Sequence, residues 1–116
     1  SGDVSIVLEG LTFETGSTKL GNDPEGALAA LAEKMAAEPE VKVILVGHSD
    51  MSGSLHGNIS IATKRAESVR QALIRDHGIA ADRLTAQGVG FLSPRADNQT
   101  EAGKQKNRRV EAVFSR

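Results

Sequence analysis

The amino-acid sequence predicts an α/β (α+β) sandwich, in which one mixed four-stranded sheet packs against helices in the order β-α-β-α-β-(α)-β. Short β-branched segments alternate along the chain with segments of helical periodicity, which is typical of such folds. The chain has 116 residues, of which 39% are hydrophobic and 25% charged, and these values fit a single core. We therefore interpret residues 1–116 as one domain.

The first third of the chain contains a strand, a helix and a second strand. Residues 4–8 are β-branched and loosely alternating, as in a strand. Asp23 followed by Pro24 predicts a helix start, with an acidic N-cap and proline at the first helical position, and Pro39 predicts its end. The apolar run 41–46 favours a central strand that is covered on both faces.

A second helix is predicted after a polar loop that spans residues 49–57. Asn58 is a suitable N-cap residue, and Ile61, Val69 and Leu73 recur along one helical face. Gly78 predicts the C-terminal end of this helix.

The remaining elements follow from the same patterns. Residues 84–89 read as a third strand and residues 93–98 as a loop. Residues 100–107 predict one or two helical turns. In residues 109–114 apolar and polar side chains alternate, which predicts a last strand with one wet face.

The composition argues against several functional classes. Aromatic residues make up 3% of the chain, so a site of stacked rings for sugars or single-stranded nucleic acid is not expected. A net charge of −1 favours neither nucleic acid nor an anionic membrane. Cysteine is absent, which excludes thiol chemistry, and no apolar run approaches the roughly 20 residues that span a bilayer.

Catalysis and metal binding are not expected either. His48, Ser49 and Asp50 are the residue types of a hydrolase triad, but consecutive side chains diverge and cannot align as one. The other histidines, His56 and His77, are scattered, and no zinc-ligand spacing is present. We interpret His48 as a strand-end histidine bonded to backbone, and we expect neither a metal nor a cofactor.

One pair of opposite charges stands out. Asp50 follows the carboxyl end of the central strand, the edge at which open α/β sheets bind ligands. Arg65 lies about two turns into the next helix, from which it can face Asp50 across a shallow cleft. A guanidinium takes a carboxylate in a two-pronged grip and an aspartate accepts bonds from an ammonium, so the pair suits a zwitterion. The alternative from composition alone is a surface salt bridge without a ligand.

The surrounding residues form ordered motifs. Gly47-His48-Ser49-Asp50 resembles a Gly-His-Thr-Asp motif, with serine in place of threonine. The helix resembles the signature Asn-x-x-Leu-Ser-x-x-Arg-Ala-x-x-Val at Asn58, Ile61, Arg65, Ala66 and Val69. Further matches are Leu11, Phe13, Gly78, Ile79, Arg83, Leu84, Gly88, Gly90, Pro94, Asn98, Thr100, Gly103, Asn107, Arg108, Arg109, Val110 and Glu111.

On these motifs the chain resembles the OmpA C-terminal domain family, from about Leu11 to Phe114. The resemblance implies non-covalent binding of peptidoglycan through the diaminopimelate of its stem peptide, in the periplasm of bacteria. It assigns Asp50 to the diaminopimelate ammonium and Arg65 to the neighbouring carboxylate. The domain would thereby anchor its parent protein, and the outer or inner membrane to which the parent is attached, to the cell wall.

The resemblance also implies secondary contacts. Ser52 in the loop, Asn58 in the helix and Arg108 in the closing motif correspond to residues that the family uses. Thr15 and Gly16 correspond to the opening loop that forms one wall of the site. Two departures concern these contacts, because Ala62 replaces a serine and Gly16 often has a polar counterpart. Phe13 is interpreted as a core residue.

The wider context is expected to lie outside this sequence. We interpret the chain as a domain excised from a larger membrane-anchored protein, so the membrane is reached only through the parent. Nucleic acid is not an expected partner. The alternative function is a protein–protein interaction or dimerisation module that has the same fold but does not bind the wall.

Overall fold

In the computed structural model the described residues are 4–8, 11, 13, 18–21, 23, 26–49, 55–90 and 109–115. They form, in chain order, β1 (Val4–Val7), α1 (Ala27–Ala37), β2 (Lys42–His48), α2 (Leu55–His77), a 3₁₀ turn (Ala81–Arg83), β3 (Leu84–Gly90) and β4 (Val110–Ser115). The predicted loop at 93–98 and the helical turns at 100–107 lie outside the described residues.

The four strands form one mixed sheet in the order β1-β4-β2-β3. The last strand, β4, lies between β1 and β2 and runs antiparallel to both. β2 and β3 are parallel, so their carboxyl ends meet at the same edge of the sheet. The predicted fold class is confirmed.

Both helices pack on the same face of this sheet. In β2 the side chains of Val43 and Leu45 are buried on that face, whereas Ile44 and Val46 on the opposite face are only half-buried. The expectation that both faces of β2 are covered was therefore wrong for the part of the chain that the structure describes. The main core residues are Phe13, Leu28, Leu31, Met35, Val43, Leu45, Val69, Leu73, Val110 and Ala112.

The first helix begins later than predicted. Gly26 has φ +67°, a left-handed conformation that L residues with a side chain rarely adopt, so helical geometry starts only at Ala27. Asp23 nevertheless caps the helix, because its carboxylate accepts the N–H groups of Ala27 at 2.8 Å and Leu28 at 3.0 Å. The helix ends before Pro39, as predicted.

Arg83 holds the other end of α1 in place. Its guanidinium donates to the carbonyl oxygens of Met35 at 2.9 Å, Glu38 at 2.8 Å and Val41 at 2.8 Å. Carbonyls in the last turn of a helix have no partner within the helix, and a cation also opposes the negative end of its dipole. Arg83 therefore fixes α1 relative to the start of β2.

The second helix begins earlier than predicted, at Leu55, so Asn58 lies inside the helix and is not its cap. Its end at His77 is as predicted, because Gly78 has φ +67°. Ile61 is half-buried, so the predicted apolar face is slightly rotated from the true one. The buried side chains of α2 are those of Asn58, Ala62, Arg65, Ala66, Val69, Ala72 and Leu73.

Two glycines allow α2 to lie directly against the sheet. A Cβ atom at Gly47 of β2 would collide with the backbone carbonyl of Ala62. A Cβ atom at Gly88 of β3 would collide with Thr63 and with the carbonyl of Ile59. Gly47 and Gly88 are partners in the parallel pairing of β2 and β3, so the two gaps adjoin. The N-terminal half of α2 is thereby held at the carboxyl end of both strands.

We predict that Gly47→Ala destabilises the domain by about 2–3 kcal/mol, because the obstructing atoms are backbone and the helix must move away. Gly78→Ala is the matched control. Its site has a positive φ but no atom within 4 Å of the added carbon, so its cost is about 1 kcal/mol. Urea unfolding measures both. Equal costs for the two substitutions would contradict the close contact at Gly47.

Candidate functional site

Two of the predicted site residues, Asn58 and Arg65, lie in α2 and are described. The other five lie outside the described residues, namely Thr15, Gly16, Asp50, Ser52 and Arg108. Their roles remain predictions.

Arg65 is one of the most deeply buried side chains of the domain, with 1% of its surface exposed. Its guanidinium carbon lies 5.3 Å from the centroid of the Phe13 ring, which is itself 2% exposed. A charge removed from water to this degree is costly unless its surroundings stabilise it. Arg65 is therefore not a member of an exposed surface salt bridge, the alternative that composition left open.

Asn58 shares the buried face of α2 with Arg65. It is 3% exposed and lies seven positions earlier in the helix, which is two turns and hence the same face. Asn58 is also nearer than Arg65 to the helix N-terminus. Side chains of a helix generally lean toward that end.

The turns of α2 that precede Arg65 lie against the edge where β2 and β3 end. Ile59, Ala62 and Thr63 contact the positions of Gly47 and Gly88, close to the last residues of these strands. Beyond β2 the chain continues through Ser49, which is 2% exposed. The Ser49 hydroxyl makes no hydrogen bond with any described residue. The described part of the site thus combines a buried cation and a buried hydroxyl at one sheet edge.

A second polar cluster lies on the sheet face opposite α2. Glu111 of β4 accepts a hydrogen bond from Nε of Arg109 at 2.7 Å and one from the Ser5 hydroxyl at 3.1 Å. Nε2 of His48 lies 3.7 Å from the same carboxylate. The His48 side chain thus faces a carboxylate, while its backbone N–H donates to the Arg109 carbonyl at 2.8 Å. The predicted bonding of the His48 ring to backbone stays a prediction, because the observed bond to Arg109 comes from the main-chain N–H.

The pKa of Glu111 reflects competing influences. Burial raises the pKa of this carboxyl, but the hydrogen bond from Arg109, the charges of His48 and Arg109 and the bond from Ser5 together hold it below its usual value. The spacing of Arg109 and Glu111 in the sequence indicates their contact, because residues two positions apart in a strand share one face.

The described residues contain neither a cluster of metal ligands nor a helix that could span a membrane. No group of three or more histidine, aspartate or glutamate side chains there could hold a metal ion. Neither α1 nor α2 has the length and apolarity of a helix that crosses a bilayer.

Two helices on one face of a four-stranded sheet define the described part of the chain as a small two-layer α/β domain. Residues 12–108 match the model of the OmpA family. The chain belongs to the OmpA family, which confirms the resemblance seen in its motifs.

Relatives place this domain within longer proteins. The chain is 45% identical over 87 residues to outer membrane porin F of Pseudomonas fluorescens, covering 75% of this chain and 26% of the porin. It is 35% identical over 107 residues to peptidoglycan-binding protein ArfA of Mycobacterium tuberculosis, covering 86% of this chain and 32% of ArfA. The chain therefore spans about a quarter to a third of the length of these two relatives.

A solved structure shows the same fold. The peptidoglycan-associated lipoprotein from Burkholderia pseudomallei superposes with a TM-score of 0.81 at 27% sequence identity. The match covers 90% of this chain and 88% of that one.

We predict that Glu111→Gln removes an acid-sensitive part of the stability. The folded-state pKa of Glu111 lies below its unfolded value, so the ionised group stabilises the fold above the unfolded pKa of about 4.3. That contribution is lost as the pH falls through the lower, folded-state pKa. Urea unfolding at pH 7 and pH 3 should show wild type and variant differing at pH 7 and converging at pH 3.

Glu33→Gln, on the exposed side of α1, is the control for the loss of one negative charge. A difference between wild type and Glu111→Gln that grows on acidification would contradict the assignment.

Proposed function

We propose that this domain binds peptidoglycan non-covalently through the diaminopimelate of the stem peptide, with Arg65 and Asp50 as the two charged contacts. The observation that carries the proposal is the burial of Arg65, 1% exposed, in the helix whose N-terminal half lies against the end of β2, the strand that Asp50 follows in the sequence.

The chemistry of the pair fits the free end of diaminopimelate, where an ammonium and a carboxylate share one carbon. The Arg65 guanidinium offers parallel N–H donors to the carboxylate, and Asp50 accepts from the ammonium. Because Arg65 is desolvated, its attraction for an anion is weakened less by water than that of a surface arginine. A buried arginine is therefore suited to select a ligand that carries the carboxylate.

Further residues are proposed to contact the same ligand. Asn58, buried two turns before Arg65, supplies an amide that can both donate and accept. Ser52, Thr15, Gly16 and Arg108 are proposed as secondary contacts on the strength of the family motifs. All of these groups bind without bond making or breaking, so the domain is proposed to be non-catalytic.

The family and its named members support the setting. ArfA is called a peptidoglycan-binding protein, and the Burkholderia structure is that of a peptidoglycan-associated lipoprotein. We place the domain in the periplasm, where it would anchor a longer, membrane-attached parent to the cell wall. A single site held by two charge-assisted contacts should be weak, with Kd on the order of 10 μM to 1 mM. Many copies on wall and membrane would compensate by avidity.

We predict that Asp50→Asn and Arg65→Lys each weaken binding of free meso-diaminopimelate by about 10- to 100-fold, because each removes one charge-assisted contact or its two-pronged geometry. NMR titration measures the affinity, and thermal unfolding verifies the fold. Arg75→Lys is the matched control, since Arg75 lies on the same helix but is exposed and paired with Asp76. Wild-type affinity in either site variant would contradict the assignment.

A lysine-type stem peptide should bind about 10-fold more weakly than a diaminopimelate-type peptide. It has the ammonium but not the carboxylate, so Arg65 would lose an anionic partner in a desolvated site. Each peptide is tested as a competitor that displaces the domain from immobilised sacculi, and the two inhibitory concentrations give the ratio of affinities. The preference should shrink in Arg65→Lys, and equal affinity of the wild type for both peptides would exclude Arg65 as the carboxylate contact.

A further inference from the structure

The contact between Phe13 and Arg65 joins two distant parts of the chain inside the core. The ring and the guanidinium are both almost fully buried, with 5.3 Å between the ring centroid and the guanidinium carbon. We infer that Phe13 is a positioning residue, which holds the Arg65 guanidinium in the orientation that receives the ligand carboxylate. The inference rests on the proposed function and deepens it, because it names a determinant of specificity outside the charged pair.

The ring stabilises the cation in a way that suits a binding site. The face of an aromatic ring attracts a guanidinium electrostatically, and the attraction grows when water is excluded. This attraction neither neutralises the charge nor takes up any of the five N–H donors of arginine, which lie in its plane. A carboxylate at the position of Phe13 would instead compete directly with the carboxylate of the ligand.

The segment that carries Phe13 is fastened to the helix that carries Arg65. The Ser68 hydroxyl of α2 donates to the carbonyl of Thr18 at 2.8 Å. Leu11 and Phe13 are both buried in the core. Phe13 is thus held in the core, and its ring limits the rotamers of the Arg65 side chain, which is otherwise flexible.

A second cation–ring contact in the domain provides a natural control. Nζ of Lys34 lies 5.2 Å from the centroid of Phe114, on the α1 side of the sheet. Phe114 is also a core residue, 8% exposed, whereas the Lys34 side chain is exposed. Replacing Phe114 removes a core ring and a cation contact without touching Arg65.

The test uses two muropeptides, one with diaminopimelate and one with lysine. NMR titration measures the affinity of each for wild type, Phe13→Leu and Phe114→Leu. Phe13→Leu should weaken binding of the diaminopimelate peptide about 10-fold and leave the lysine peptide unchanged, so the preference disappears. Phe114→Leu should keep the wild-type preference. Should Phe13→Leu fail to fold, Phe13→Met replaces it, because the unbranched, flexible methionine side chain can adapt to the space that the ring leaves.

The outcomes separate the two proposals. Failure of the wild type to bind either peptide would overturn the proposed function, and the role of Phe13 with it. A preference that survives in folded Phe13→Leu would overturn the positioning role alone. An equal loss of affinity for both peptides would also overturn it, because a merely structural residue affects both ligands alike.

Discussion

The direct contact between α2 and the ends of β2 and β3 determines the rest of the site. The absence of side chains at Gly47 and Gly88 brings the backbone of the helix onto the sheet. This contact sets the distance between the sheet edge and every residue in the N-terminal half of α2. Any side chain at either glycine would lift the helix, and the buried face that includes Asn58 and Arg65 would move with it.

The helix contact also explains how a charge can be kept in the core. Arg65 reaches the interior on a helix that cannot retreat toward solvent, so its charge must be stabilised where it lies. Phe13 covers one side of the guanidinium without consuming its donors. On the opposite sheet face, Nε of Arg109 pairs directly with the carboxylate of Glu111. The contact with Phe13 stabilises the charge of Arg65 without neutralising it.

The sequence predicted the features that depend on local periodicity. The strands β2 to β4, the buried alternation of Val110, Ala112 and Phe114, and the end of α2 at Gly78 all follow from short-range patterns. The starts of both helices were misplaced. Gly26 interrupts α1 after its predicted start, and α2 gains a turn before Asn58. Helix starts depend on caps that several neighbouring residues can supply.

The features that were not predicted depend on distant contacts. Nothing in the periodicity indicates that β4 inserts between β1 and β2, or that Arg65 is buried, because an arginine on a helix ordinarily faces water. In the sequence, α1 and β2 lie between Phe13 and the helix that carries Arg65. The pair of opposite charges and the family motifs predict that Arg65 acts together with Asp50. This stays a prediction, because Asp50 lies outside the described residues.

The most direct test of the central claim is a crystal structure of the domain with meso-diaminopimelate. The account predicts the ligand at the carboxyl end of β2, its carboxylate bonded to the Arg65 guanidinium at about 2.7–2.9 Å and its ammonium at Asp50. A ligand bound elsewhere, with Arg65 in contact only with the protein, would contradict it.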